Sequence, residues 1–308
     1  MMRSNKHLDY GVEETLGDMR FQLLNAGHTP GSAEVLIEAD GKRLLYTGDF
    51  NTADSKLLKG ASMDYGDLDA VIMESTYANE EHTERPELEK RFVESVTETV
   101  EKGGTVLVPA FGVGRSQEIA CVLAANHFEH PVVLDGMARE ASRIIMNYKE
   151  FLRDPKLFMD AMHSAEWVEG WRDRRRALRT PGAIISTAGM LKGGPAAFYI
   201  SKLGKKAVNS IYLVSYQIPG TPGKELLEKG ICTIDGKIRR IKAHYEHFDF
   251  SSHCGASQLK EALRKLGGKP KVFAVHGAEG NCELFANWAK SELGLDAVAP
   301  KTGETFEV

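Results

Sequence analysis

The middle of the chain repeats one short pattern, in which an apolar, strand-like run leads into a glycine-containing loop and then a helical run. The pattern occurs in TVLVPAFGVGRSQEIACVLAAN (105–126), PVVLDGMAREASRIIMNY (131–148) and GAIISTAGMLKGGPAAFYISKL (182–203). Because each helix carries the chain back across the sheet, successive strands are expected to run parallel. The loops that follow the strands then gather at the carboxyl edge of the sheet, where α/β proteins bind ligands. The repeat therefore predicts an α/β fold.

Strand-like runs also flank this region, at residues 33–39, 42–50, 68–76 and 271–275. The pair Asp40-Gly41 predicts a hairpin between the first two runs, and Asp235-Gly236 predicts a second hairpin. Apolar residues at helical spacing over 85–104 indicate a helix that stops at a glycine pair. The flanking segments therefore add further strands outside the repeated region.

The composition is that of a globular protein, and it argues against several classes. With 42% apolar and 27% charged residues among 308, the chain can form roughly two domains. No run approaches the ~18 apolar residues of a membrane span, and MMRSNKHLDYG lacks the apolar core of a signal peptide. The four cysteines form no CxxC pair, which argues against a disulfide framework and a cysteine-rich zinc site. We therefore expect a cytoplasmic protein with no membrane partner.

The charge distribution leaves one segment open to two interpretations. The net charge of −4 does not indicate a nucleic-acid-binding protein, yet WRDRRRALR at 171–179 contains five arginines. This segment is either a solvated helix face or a surface that contacts phosphate.

Potential metal ligands or proton carriers follow several of the predicted strands. His28, Asp49, Glu74 and His276 each lie in a turn at a strand end, and His253 lies in a serine-rich loop before a helix. Taken singly, each residue has an ordinary structural explanation, such as a turn or a helix cap. Their recurrence at the same kind of position favours a shared site at the carboxyl edge of a sheet. Imidazole and carboxylate groups suit zinc, which makes bound water a nucleophile near neutral pH.

The motifs together resemble the β-CASP branch of the metallo-β-lactamase superfamily, most closely its archaeal ribonucleases related to the cleavage and polyadenylation specificity factor. The collinear segments that carry the resemblance are NAGHTPGSAEVLIEADGKRLLYTGDFN, VIMESTY, VLVPAFGVGRSQE, STAGMLKGGPA, VSYQIPGTPG, FDFSSHCG and VHGAEGN. The resemblance implies a partial metallo-β-lactamase αββα sandwich with an inserted β-CASP parallel α/β domain. The implied boundaries are 1–78 for the first part of the lactamase domain, 79–242 for the β-CASP domain and 243–308 for the return.

The resemblance also implies a role for each strand-end residue. His28 and His276 match ligands of two different zinc ions, and Asp49 matches the carboxylate that bridges them. Glu74 matches an acid beside the metals that supports proton transfer, and His253 matches a histidine that protonates the leaving oxygen. The implied reaction is hydrolysis of single-stranded RNA by hydroxide formed at zinc, in RNA 3′-end processing or decay. Both endonuclease and 5′-exonuclease modes are open.

A second group of residues is predicted to handle RNA phosphate or backbone. Arg115 follows the glycine loop of PAFGVGRSQE, Ser186 and Gly189 belong to STAGMLKGG, and Ser252 precedes His253. Small residues let a loop approach a ligand, and arginine pairs with phosphate. The alternative is that these glycines only permit tight strand-to-helix turns.

One part of the family pattern is absent from the 308 residues. The motif His-x-His-x-Asp-His, which supplies most zinc ligands in the family, does not occur, and no His-x-His is present. His28, Asp49 and His276 alone are expected to hold one zinc weakly or none. Three explanations are open: a truncated sequence, one half of a split enzyme, or a degenerate member that binds RNA without cutting it. The exposed edge that missing strands would leave favours a homodimer or a partner chain supplying the missing motif.

Two hypotheses of function therefore stand beside each other. A metal-dependent ribonuclease is favoured by Glu74 and His253, which a binding protein does not need. A non-catalytic RNA-binding or scaffold subunit is favoured by the missing motif. A small-molecule hydrolase is disfavoured because the β-CASP insertion implies a nucleic-acid groove.

Overall fold

The computed structural model describes residues 8–234 and 236–308. The amino-terminal part contains strands β1 (Glu13–Leu16), β2 (Met19–Asn25), β3 (Ala33–Ala39), β4 (Lys42–Tyr46) and β5 (Asp67–Glu74). The middle part contains α1 (Arg85–Glu101), β6 (Thr105–Pro109), α2 (Arg115–Ala125), β7 (Val132–Asp135), α3 (Met137–Met146), a 3₁₀ turn (Lys149–Phe151), α4 (Pro155–Ser164), β8 (Glu166–Trp167), α5 (Trp171–Ala177), β9 (Gly182–Ser186), α6 (Gly194–Leu203), β10 (Ser210–Leu213), α7 (Pro222–Lys229), β11 (Ile231–Ile234), β12 (Lys237–Arg240) and β13 (His244–His247). The last part contains α8 (Ala256–Lys265), β14 (Gly267–Val275), α9 (Asn281–Leu293) and β15 (Ala297–Val298).

The chain divides into two compact units. Among the described residues, unit 1 comprises 8–54, 59–82 and 252–308, and unit 2 comprises 55–58, 83–234 and 236–251. In the part of the chain that the structure describes, no helix combines the length and apolar character needed to cross a bilayer.

Unit 1 is built on a mixed sheet. Its strand order is β1-β2-β3-β4-β5-β14-β15. The first four strands pair antiparallel, whereas β4, β5, β14 and β15 pair parallel. The predicted hairpin between β3 and β4 is confirmed, and its turn residues Asp40 and Gly41 both have positive φ, as a two-residue type I′ turn requires. Helices α8 and α9 cover the sheet through a shared apolar core that includes Leu259, Phe285 and Val71.

Unit 2 is a parallel sheet with helices on both faces, which confirms the prediction from the repeated pattern. The strand order is β13-β10-β6-β9-β7-β8, and the pairs are all parallel. One face packs against α1, α2 and α4 through residues such as Phe92, Ile119 and Phe158. The other face packs against α5, α6 and α7 through residues such as Ala177, Tyr199 and Leu226. The strands are buried on both faces, which explains their nearly continuous apolar sequences.

The units divide at different residues from those that the sequence predicted. Residues 244–247 form β13, which pairs along its whole length with β10 at the edge of the unit 2 sheet. Unit 1 therefore resumes at Ser252 instead of residue 243. A short segment, 55–58, also belongs to unit 2, because the backbone of Leu57 donates a 2.7 Å hydrogen bond to the Glu118 carboxylate.

Candidate metal and proton-transfer site

Strands β2, β4, β5 and β14 of unit 1 point in the same direction and bring their carboxyl ends to one edge. Strands β2 and β4 run parallel because each pairs antiparallel with β3, and β4, β5 and β14 are parallel neighbours. His28 follows β2, Asp49 follows β4, Glu74 ends β5 and His276 follows β14. The sheet topology therefore brings together the residues that the sequence placed at strand ends.

Asp49 lies between two imidazoles. Its Oδ2 is 3.9 Å from Nε2 of His28, and its Oδ1 is 3.4 Å from Nδ1 of His276. Two ligand atoms about 2.1 Å from one tetrahedral zinc lie roughly 3.4 Å apart, so both separations are close to those of atoms that share an ion. Asp49 belongs to two groups whose donor atoms all lie within 4.8 Å of one another: His28, Asp49 and His253, and Asp49, Glu74 and His276. The donor set therefore fits zinc.

The His28 ring is held in the form that a metal ligand needs. Its Nδ1 lies 3.1 Å from the carbonyl oxygen of Ser252, to which it donates in the neutral tautomer. The Nε2 lone pair is then directed toward Asp49, which is the usual arrangement of a histidine ligand supported by a backbone carbonyl. Burial of the ring, together with the neighbouring His253, lowers the pKa of His28 below its ordinary value. The ring therefore stays neutral and able to bind a metal ion further into the acidic range.

The turn before His28 is tightly packed. Gly27 has φ of +67°, and a Cβ at this position would lie 2.5 Å from the carbonyl oxygen of Asn51. The backbone N–H of Asn51 donates to the carbonyl of Ala26, and the Asn25 side chain accepts a hydrogen bond from the Gly27 N–H. These contacts explain why glycine precedes the histidine, and they set the position of the His28 backbone.

The buried Glu74 and the half-buried His253 form a hydrogen-bonded pair. Nδ1 of His253 lies 2.9 Å and 2.8 Å from the two oxygens of Glu74. The Glu74 carboxylate also accepts a 2.8 Å hydrogen bond from the Phe50 N–H, and only 1% of the Glu74 side chain is exposed. A carboxylate bonded to Nδ1–H fixes the tautomer and leaves Nε2 as the nitrogen that exchanges a proton, as in other carboxylate–histidine pairs. This arrangement suits general acid–base chemistry.

Thr76 connects this pair with the metal-binding group, and the sequence reasoning did not identify it. Its hydroxyl makes a short hydrogen bond to Oε2 of Glu74 and lies 3.0 Å from Nδ1 of His276. The backbone of His276 has φ of +49°, an uncommon conformation for a residue other than glycine, and its carbonyl oxygen is 3.2 Å from the same hydroxyl. The only available signal was the position of Thr76, two residues after Glu74 in the motif VIMESTY.

The three histidines of the site lie close to one another. The ring centroids of His28 and His253 are 4.5 Å apart, and those of His253 and His276 are 6.1 Å apart with nearly parallel planes. This proximity places the predicted proton carrier beside the predicted metal ligands. The roles of the individual residues stay predictions.

The predicted phosphate-binding residues are arranged differently. In unit 2, Arg115 is buried and donates a 2.9 Å hydrogen bond to the carbonyl of Val214. Ser186 is also buried, and Gly189 packs against the backbone of Phe111. In unit 1, the Ser252 carbonyl orients His28. These contacts indicate structural roles for Arg115 and Ser252, and their contact with phosphate stays a prediction.

A metal-ligand cluster at the carboxyl edge of one sheet, with a second parallel α/β unit inserted between β5 and α8, is characteristic of β-CASP proteins. Comparison with protein families agrees: residues 116–226 match the Beta-Casp domain, and residues 238–300 match the Zn-dependent metallo-hydrolase RNA specificity domain. The chain belongs to the β-CASP branch of the metallo-β-lactamase superfamily, as its relatives also show. The predicted family and α/β fold class are therefore confirmed.

Three archaeal relatives illustrate the similarity. The chain is 42% identical to RNase aCSPSF2 of Saccharolobus solfataricus over 98% of its own length and 61% of the relative's. It is 36% identical to the Methanocaldococcus jannaschii protein named Probable RNase MJ4, covering 98% of the chain and 72% of that relative. Identity to the transcription termination factor FttA of the same organism is 35%, over 98% of the chain and 52% of that relative. The chain thus spans about half to three-quarters of these relatives.

Proposed function

We propose that this chain contributes the active centre of a zinc-dependent ribonuclease that hydrolyses phosphodiester bonds of single-stranded RNA. The observation that supports this most strongly is the placement of Asp49 between His28 and His276, with the Glu74–His253 pair beside them. A protein that only binds RNA has no need for a carboxylate–histidine pair at a metal-binding edge. The names of the relatives, two ribonucleases and a termination factor, support a role in RNA 3′-end processing or decay.

We propose that zinc would be held at two positions by His28, Asp49 and His276, with Asp49 common to both. The two oxygens of Asp49 face different imidazoles, which supports this proposal. Zinc, when bound, supplies the positive charge that polarises the phosphodiester and increases the acidity of water. His28 and Asp49 would hold the ion, and the Ser252 carbonyl orients the His28 ring for this role.

His253 is proposed to move the proton that the leaving 3′- or 5′-oxygen requires. Glu74 accepts the Nδ1–H of His253 and stabilises the positive ring, so the proton is delivered from Nε2. Glu74 is itself held by the Phe50 N–H and the Thr76 hydroxyl, which leaves the carboxylate little freedom to rotate. The pair is therefore oriented before substrate arrives, and this reduces the reorganisation that catalysis requires.

A second candidate function follows from the sequence motif that is absent. Because the 308 residues contain no His-x-His, the remaining zinc ligands of the family would come from another polypeptide segment or be missing. In that case the chain is either one half of a split nuclease or a non-catalytic RNA-binding subunit.

Zinc analysis and RNA cleavage distinguish these functions. The unchanged protein, Asp49→Ala and His253→Gln are incubated with zinc and a labelled single-stranded RNA, with and without a fragment that carries His-x-His-x-Asp-His. His244→Gln is the matched control, because His244 lies exposed on β13 in unit 2. The ribonuclease proposal expects cleavage that both site variants lose and the control retains. If the protein binds RNA but neither binds zinc nor cleaves the RNA, even with the fragment present, the ribonuclease proposal is wrong and the non-catalytic subunit is favoured.

A further inference from the structure

Three exposed arginines lie on α5 and in the turn that follows it. Arg172 and Arg175 are one turn apart on α5, and Arg179 lies four residues later, in the turn beyond the helix end at Ala177. Each of the three is exposed. Within residues 8–234 and 236–308, no ion pair joins any of them to a carboxylate. We call these three residues the arginine stripe.

The other two arginines of the segment differ from the arginine stripe, because they are neutralised internally. Arg174 makes two hydrogen bonds, of 2.7 Å and 3.1 Å, to the fully buried carboxylate of Asp135. Arg176 lies 3.1 Å from Glu166 and 3.7 Å from Asp173. Two of the five arginines are therefore paired with carboxylates of the chain itself, and the three arginines of the stripe are not. Like charges on adjacent turns repel one another, so the arginine stripe has no stabilising function in the isolated chain.

Trp171, at the beginning of α5, presents an aromatic surface beside the arginine stripe. Its side chain is 59% exposed, which is unusual for the largest apolar residue. The ring is nevertheless held in place, with the Arg174 guanidinium 5.0 Å from its centroid and the Phe198 ring 5.2 Å away in an edge-to-face contact. Because Arg174 is anchored by Asp135, the indole is oriented before any ligand binds. An exposed, fixed aromatic ring next to cationic side chains is the combination that binds single-stranded nucleic acid.

The aromatic surface adjoins the loops at the carboxyl edge of the unit 2 sheet. Asp135, which anchors Arg174, is the last residue of β7, and Gly136 follows it in contact with Thr187 after β9. The next residue, Met137, is 72% exposed, and a Cβ added at Gly112 in the loop after β6 would lie 3.3 Å from the Met137 Cβ. A strand lying along this edge would therefore reach Trp171 without leaving unit 2.

We propose that Trp171 and the arginine stripe bind single-stranded RNA, with a base stacked on the indole and successive phosphates on the arginines. The proposal rests on the ribonuclease function for the identity of its ligand, and it adds a contact surface outside the metal site. Arginine suits the role because its planar guanidinium pairs with phosphate through two hydrogen bonds. Arg172 and Arg175 are about 4.5 Å apart along the axis of α5, and Arg179 follows beyond the helix end, so the three side chains can contact more than one phosphate.

The test is the salt dependence of RNA binding. A phosphorothioate-linked oligouridylate of 20 nucleotides serves as the probe, and its anisotropy gives Kd between 50 and 200 mM salt. Three phosphate contacts contribute about 2 to the slope of log Kd against log salt for a single strand. The slope for the triple variant R172Q/R175Q/R179Q is therefore expected to be lower by about 2. Between 50 and 200 mM salt, the fold-increase in its Kd should then be about 18-fold smaller than that of the unchanged protein.

A matched control removes the same charge from the other helical layer of unit 2. The variant K90Q/K102Q/K156Q changes three lysines that each pair with a carboxylate on their own helix, and it is expected to keep the slope. Trp171→Ala should weaken binding about tenfold at every salt concentration, whereas Trp171→Phe should retain most of the affinity.

Two results would overturn the proposal: an unchanged slope in the arginine-stripe variant, or an equal loss in the lysine control. If the slope is unchanged in the arginine-stripe variant, an acidic protein is the alternative partner of the arginine stripe. Cleavage is measured separately with ordinary RNA. If the arginine-stripe variant loses salt-dependent binding and cleaves slowly but keeps its zinc, the result supports the arginine stripe as an RNA-binding surface. If the unchanged protein binds RNA normally but does not cleave it, the proposed function fails and the arginine stripe is not affected.

Discussion

Glu34 is a buried carboxyl group that lacks a full set of hydrogen-bond partners, so its ionisation should affect stability strongly. It lies on β3 with no exposed surface, and the Tyr65 hydroxyl donates a hydrogen bond to its Oε2. Its Oε1 has no hydrogen-bond partner among the described residues. Burial raises the pKa of Glu34 to about 8, and the Tyr65 hydrogen bond offsets only part of this effect. We predict that Glu34→Gln removes a pH-dependent destabilisation of unit 1.

Proton linkage determines whether the stability of the protein rises or falls with pH. The folded chain keeps a proton that the unfolded chain releases above a pKa of 4.5, so stability falls as the pH rises from about 4.5 to about 8. With these two values the destabilisation is about 1 kcal/mol at pH 5 and about 3 kcal/mol at pH 7. Glutamine cannot ionise, and its carbonyl oxygen can still accept from Tyr65. The free energy of unfolding of Glu34→Gln, relative to the unchanged protein, should therefore rise by roughly 2 to 3 kcal/mol between pH 5 and pH 7.

Urea unfolding followed by circular dichroism at pH 5, 6 and 7 measures this difference. A constant offset from repacking the amide does not matter, because the prediction concerns the change with pH. Glu38→Gln is the control, since Glu38 lies on the same strand but is paired with Arg20 and Arg43 near the surface. Parallel stability profiles for Glu34→Gln and the unchanged protein would refute the assignment of a neutral, buried Glu34.

Substitutions at four further positions test the site. Asp49→Ala should abolish zinc binding measured by calorimetry, because it removes the carboxylate shared by both proposed positions; retained stoichiometric zinc would contradict this. His253→Gln should lower kcat by about 10²- to 10⁴-fold with zinc content unchanged, as measured by single-turnover cleavage. Thr76→Val should reduce kcat about tenfold through the loss of one positioning hydrogen bond, while Thr76→Ser should restore it. Gly27→Ala should destabilise unit 1 by about 2 kcal/mol or more and weaken zinc binding, since the new Cβ would lie 2.5 Å from the Asn51 carbonyl.

Much of the architecture was predictable from local sequence patterns. The strands of the repeated units, the hairpin at Asp40-Gly41 and the positions of the strand-end residues follow from side-chain periodicity and turn chemistry, which act over a few residues. Because parallel strands share a carboxyl edge, the proximity of Asp49, Glu74 and His276 could also be anticipated. These features depend on the order of residues along the chain.

Other features were decided only by contacts between distant parts of the chain. Strand β13 belongs to unit 2 because its backbone pairs with β10, about 35 residues earlier, and no local pattern specifies that partner. The Thr76 hydroxyl reaches His276 only because β5 and β14 pair in one register. Likewise, the five arginines of 171–179 are equivalent in sequence, yet only Arg174 and Arg176 find buried or neighbouring carboxylates. The sequence determined which residues stand at strand ends, and tertiary packing decided their partners, since hydrogen bonds and ion pairs depend on spatial distance.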